Sequence, residues 1–258
     1  IMMLDGCTWE DATLKSPAGI HINWPRINIF SDDEKSPKTN ENLNKLESFF
    51  KKAKSYYNTK KINKNIEIDL KLESMISVFD KKIPLFIHAN RYEQIRSSIY
   101  FIKQFGIKMV LVGGADSYLL TDLLIKNNIP VIYEHPLSTP MRRNDPYDLK
   151  YKIPKLLYDA GVEFCISASS SNFESPHQRS LPYEAGMAIA FGLPYEEGLK
   201  SLTLNSAKIL GIDNFVGSLE VGKDATLIIT DGDPFLFDTQ VLQAFIKGRD
   251  IDLNDRHK

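Results

Sequence analysis

The sequence predicts an α/β fold built on parallel strands, and three observations carry that reading. First, its candidate strands are apolar nearly throughout rather than alternating, as in PLFIH (84–88) and KMVLVGG (108–114). Strands covered by helices on both faces look like this, and such sheets are parallel. Second, stretches with apolar residues three and four apart separate the strands, which is the period of a helix. Third, the helix–strand unit closes repeatedly on a glycine, at Gly106 and again at Gly161, where a helix is expected to stop.

Taken in order, GIHIN (19–23) reads as an early strand of this set. The segment 31–65 is rich in charge and reads as a surface insertion with one helix near 41–57; a second helix near 66–80 leads into PLFIH. After it, Ile95, Ile99, Ile102 and Phe105 mark one buried helical stripe. KMVLVGG is the next strand. Asp116 or Ser117 is placed to cap the helix that follows, with Leu119, Leu120, Leu123 and Leu124 as its stripe. PVIYEH (130–135) and VEFCISAS (162–169) are two more strands, the second preceded by the helix IPKLLYDAG. The C-terminal part changes character: GSLEVGKDATLIITDGDPF alternates tight turns with a β-rich run, and QVLQAFIKGRDI gives a last strand with a Lys-Gly turn. About five parallel strands are legible, against eight in a closed (β/α)₈ barrel of usually about 250 residues. The sheet is therefore either open or the C-terminal part of a barrel.

Composition excludes several classes. With 258 residues, 43% hydrophobic and 25% charged, the chain is long enough for real cores. Its net charge of −1 offers no bulk attraction to nucleic acid or an anionic membrane. No apolar run approaches the roughly 18 residues of a membrane helix. Cys7 and Cys165 form no CxxC and no disulfide framework, and both are expected as buried free thiols. No signal peptide is visible. The opening IMMLDGCTWED reads as an amphipathic segment already under way, so the true N-terminus and any targeting signal are expected to lie outside this chain, leaving cytoplasm and periplasm both open.

In parallel α/β folds chemistry sits at the carboxyl ends of strands. There the sequence places His88, Asn90 and Arg91; Gly113 to Asp116; Glu134 and His135; and Ser167 to Asn172. His88 ends PLFIH where a neutral imidazole makes a metal ligand, although a lone histidine is also read as a satisfied structural residue. His135 has the same placement and the same alternative. Arg142 and Arg143, near Asp145 and Asp148, are suited to an anionic group, or else to local ion pairs on a solvated loop. Arg179 lies beside His177 in a loop. Gly113-Gly114 is explained by a tight turn. No GxSxG, P-loop or GxGxxG occurs.

These stretches resemble the amidohydrolase superfamily, in its imidazolonepropionase-like branch. The motif carrying the resemblance furthest runs from LPYEAG through TLNSAKILG to GSLEVGKDA, within residues 181–235. PLFIHANR and KMVLVGGADSYLLTDLL are similar to the family's fifth and sixth strand units, so the likeness covers residues 80–250. It implies a partial TIM (β/α)₈ barrel of the metal-dependent hydrolases, with barrel portion 1–213 and a β segment 214–258 of a composite sandwich domain. It further implies a divalent metal, Zn²⁺ first, with His88 as a ligand. Where the family's strand-six His is expected stand Gly114, Ala115 and Asp116. Where its strand-eight Asp is expected stands Ala168 or Ser169. The implied activity is hydrolysis of a non-peptide C–N bond in a small cyclic or linear amide, at a degenerate metal site, with His135, Arg142, Arg143 and Arg179 on the substrate. The alternative is a catalytically inactive barrel that binds a ligand. The expected partner is a small molecule. A barrel lacking strands exposes sheet edges, so self-association into a homo-oligomer is also expected.

Overall fold

The structure, a computed structural model, describes residues 1–27, 37–168 and 175–254. Ser169 to Asn172 and His257 lie outside the described residues. The chain forms two compact units, one of Ile1–Ala18 with Pro130–Lys258 and one of Gly19–Ile129. No described helix is long and apolar enough to cross a membrane.

The first unit begins with a single helical turn, α1 (Trp9–Ala12), capped by the Thr8 hydroxyl, which accepts from the Asp11 N–H. An isolated antiparallel bridge joins Met2 to Thr13.

The second unit carries three parallel strands, β1 (Ile20–Asn23), β2 (Leu85–Ala89) and β3 (Met109–Gly113). Their connections are helical: α2 (Pro37–Ile62), the short α3 (Leu70–Ser74) and α4 (Ile76–Phe79), and α5 (Tyr92–Phe105). β2 and β3 bury nearly every residue, as their continuous apolar sequence requires. On α5 the residues Ile95, Ile99, Ile102 and Phe105 are all buried, and Gly106 ends the helix in the left-handed region at φ 67°. α2 is longer than its sequence signal because its charged flanks continue the helix past the apolar stripe. Its buried face is Phe50, Ala53 and Tyr57, with Phe50 packed on Phe101 and Phe105 of α5 at centroid distances of 4.9 and 5.4 Å. Trp24 closes this cluster, its ring edge-on to Phe101 and its indole N–H donating to Ser97.

Two local expectations change. The helix near 66–80 is broken at Met75 into α3 and α4, with Asp69 capping α3 through bonds from the Lys71 and Leu72 N–H groups. After β3, Asp116 does not cap the helix that follows; its carboxylate accepts from the N–H of Tyr92, the first residue of α5, at 2.9 Å. A 3₁₀ turn at Ser117–Leu119 follows, then α6 (Thr121–Lys126), which leaves Leu119 exposed. The Gly113-Gly114 turn is tight for a visible reason. A Cβ on Gly113 would lie 2.6 Å from Asn90 Oδ1.

The rest of the first unit continues with β4 (Val131–Glu134) and β5 (Phe164–Ser167), a parallel pair in which Glu134 faces Ser167, with α7 (Leu149–Ala160) between them in sequence. Helices α8 (Leu181–Ala190), α9 (Tyr195–Leu202) and α10 (Leu204–Leu210) follow, and the Asn205 amide donates to the Phe164 carbonyl to tie α10 to β5. The C-terminal part is an antiparallel meander of β6 (Leu227–Thr230), β7 (Val241–Ile246) and β8 (Arg249–Asp250). Lys247 and Gly248, both at positive φ, turn its last hairpin.

Both cysteines are free, but only Cys165 is buried; Cys7 is exposed. Burial pushes the Cys165 thiol up to about 12. Since the thiolate is the nucleophile, native protein treated with iodoacetamide at neutral pH is expected to be alkylated at Cys7 and spared at Cys165. Peptide mass mapping checks this, and equal labelling would contradict the burial of Cys165.

Candidate functional site

β1 and β2 run parallel with His21 beside Phe86 and Asn23 beside His88. In parallel strands these four residues share one face. His21 stacks on the Phe86 ring at 4.8 Å and an interplanar angle of 13°. From there its Nδ1 reaches Nε2 of His88 at 2.9 Å. The apolar strand thus ends in a histidine because a second histidine, on the neighbouring strand, meets it. Asn90, just beyond, fastens the end of β2 to the turn after β3: its side-chain oxygen accepts from the Ala115 N–H and its backbone carbonyl from the Asp116 N–H.

A contact between two imidazole nitrogens needs one N–H and one lone pair. The pair therefore holds a proton between two bases. Burial first, and the nearby His21 second, lower the proton affinity of His88 below the ordinary imidazole value. An unfolded His88 binds a proton at about pH 6.5, whereas the folded residue binds it only at lower pH. Between those values the unfolded chain holds more protons, so stability falls as pH drops below about 6.5. The melting temperature is expected to decline between about pH 7.5 and about pH 5.5, by less in His88→Ala. An equal decline in both proteins, followed by circular dichroism, would contradict this assignment.

A second group forms in the other unit, at the carboxyl end of β4. His135 has a left-handed backbone at φ 55°. Its Nδ1 lies 2.7 Å from Oε1 of Glu184, a residue of α8 that is 3% exposed. The other Glu184 oxygen accepts from the Leu137 N–H at 2.6 Å. The Lys150 ammonium donates to the Ser138 hydroxyl, which donates to the His135 carbonyl. Burial raises the Glu134 carboxyl above its ordinary value and lowers the Lys150 ammonium below its own.

Arg142 lies on the exposed loop after β4, its backbone N–H donating to Asp145 and its guanidinium 3.8 Å from the same carboxylate. Arg143 is exposed on that loop, and Arg179 is exposed in the 3₁₀ turn Ser175–Ser180. Sequence reasoning left His21 without a role and missed Glu184 and Lys150. One signal for Glu184 was present: it is the lone charge within the apolar helix LPYEAGMAIA.

Compared with known proteins, residues 10–252 match the model of the Amidohydrolase family. The chain is 33% identical over 84 residues to an imidazolonepropionase of Syntrophobacter fumaroxidans, covering 32% of this chain and 20% of that protein. It is 31% identical over 135 residues to an imidazolonepropionase of Shewanella frigidimarina, covering 52% and 28% respectively. The matches thus span less than a third of these curated relatives. The crystal structure of an amidohydrolase from Thermotoga maritima superposes with a TM-score of 0.83 at 28% identity, covering 97% of this chain and 67% of that one.

Proposed function

Because the chain belongs to the amidohydrolase family, we propose that the protein hydrolyses a non-peptide C–N bond in a small cyclic or linear amide. The observation that carries the proposal is the His21–His88 pair, which joins two parallel strands and sets His88 near the carboxyl end of β2. The names of its relatives, imidazolonepropionases among them, favour a cyclic substrate. Residues 214–258 are assigned to a small β-sandwich segment.

Family resemblance implies a divalent metal with His88 as ligand. Zinc takes four protein ligands at a structural site, or three with an open position for water at a catalytic one. Among the described residues, no three His, Cys, Asp or Glu side chains are grouped to hold a metal ion. The two imidazoles fill two corners at most, so no step is derived through a metal. The histidine pair can itself move the proton that hydrolysis requires. Water adds its oxygen to the amide carbon, its proton passes to the outer ring nitrogen that the pair leaves unprotonated, and that proton then leaves with the amine as the C–N bond breaks. His135, Arg142, Arg143 and Arg179 belong to the other unit and stand as separate candidates for contacts to a polar or anionic ligand.

One observation favours a second reading, that of a ligand-binding barrel without catalysis. Asp116, in the stretch that replaces the family's strand-six histidine, is committed to the Tyr92 N–H. A panel of small lactams, cyclic imides and linear amides separates the two. Amine release or ring opening on any member supports the hydrolase; calorimetric binding with no turnover across the panel overturns it.

A further inference from the structure

Gly19, His21 and Asn23 alternate onto one face where β1 begins and runs, and Phe86 and His88 lie on the same face of β2 beside them. Phe86 is 2% exposed, whereas the His21 ring that stacks on it belongs to an exposed residue. Burial therefore does not fix the orientation of His21. An exposed side chain exchanges among its rotamers, and few of these aim Nδ1 at Nε2 of His88. The flat stack on Phe86, at 4.8 Å and 13°, selects the ring plane in which that contact closes at 2.9 Å.

Phe86 has this place because position 19 carries no side chain. A Cβ on Gly19 would stand 2.4 Å from Cε2 and 2.6 Å from Cδ2 of Phe86. Carbon atoms settle at about 3.5–4.0 Å, so the ring, as the free end of its side chain, would have to give way. The Pro84 carbonyl oxygen, 2.9 Å from the same point, leaves little room for the backbone to absorb the change. We propose that Phe86 is a positioning residue that clamps His21 against His88, and that position 19 must be glycine because the clamp occupies its side-chain space. This rests on the hydrolytic reading above: the clamp prearranges the pair through which the proton moves.

Gly19→Ala tests the proposal without altering either histidine or the phenylalanine. Phe86→Leu removes the ring and keeps an apolar side chain in its place. A hydrogen bond between two ring nitrogens carries a nitrogen-15 coupling, which histidine-labelled protein shows directly at about pH 9, well above the ordinary imidazole range. The coupling is expected in the wild type and is expected to be lost in both variants, each checked for folding by cooperative melting. The His21 ring protons of the wild type should also be shifted upfield by the stacked Phe86 ring. For an amide that is turned over, kcat should fall about tenfold in each variant with little change in KM. The Gly19→Ala loss should vanish in a His21→Ala background, since the clamp acts only through that ring.

A wild type with no coupling, or with His21 ring protons at ordinary exposed-histidine positions, overturns the proposal without need of a variant. So does a folded Gly19→Ala or Phe86→Leu protein that keeps the coupling, or a Gly19→Ala loss of the same size with and without His21. The coupling is read without turnover. A failed amide panel would therefore sink the hydrolytic reading while the spectrum still decides the clamp.

Discussion

His88→Ala is expected to lower C–N hydrolysis about 10²- to 10⁴-fold, the range over which a positioned acid–base group acts. The ring is only partly buried and its recorded polar partner is His21, so the fold should survive the change. His21→Ala should cost less, since it removes the partner that shares the proton and leaves His88 in place. In the double variant the His21 effect should vanish, because the two rings act as one unit at 2.9 Å. Full additivity of the two losses in log kcat/KM would show instead that the rings work separately.

The largest stability effect is expected at Phe50. This side chain is 1% exposed and lies against Phe101 and Phe105, which also pack on each other at 4.9 Å. Phe50→Ala removes the ring that joins α2 to α5 and opens a cavity whose rigid aromatic walls cannot collapse. The cost should be about 3–5 kcal/mol, against a total stability of only about 5–15 kcal/mol for a typical domain. Urea denaturation followed by circular dichroism measures it. A loss below about 1 kcal/mol would mean that α2 is not anchored through this cluster.

Much of the fold was legible because its signals are local. The apolar run Leu85, Phe86 and Ile87 marks β2, and a stripe at positions 95, 99, 102 and 105 marks α5; both depend on neighbours within a few residues. The breaks that were not legible depend on longer contacts. Asp116 stands where a helix cap belongs, yet the folded chain brings the Tyr92 N–H to it from 24 positions away. Cys7 follows no average for its residue type because the turn it occupies is exposed.

The candidate site divides in the same way. His88 and His135 could be picked out as polar ends of apolar strands. Their partners could not. His21 meets His88 across 67 positions of chain and Glu184 meets His135 across 49, and no local periodicity records which strands or helices become neighbours. The histidines were therefore readable as candidates, whereas their side-chain partners became readable only from the fold.

The central claim, that this protein uses water to cleave a C–N bond with the His21–His88 pair, is tested most directly by running the reaction in ¹⁸O-labelled water. The account predicts that the wild type places one labelled oxygen in the new carboxylate, read by mass spectrometry, and that His88→Ala forms almost none of this product. Unlabelled product, or equal labelled product from both proteins, would contradict it.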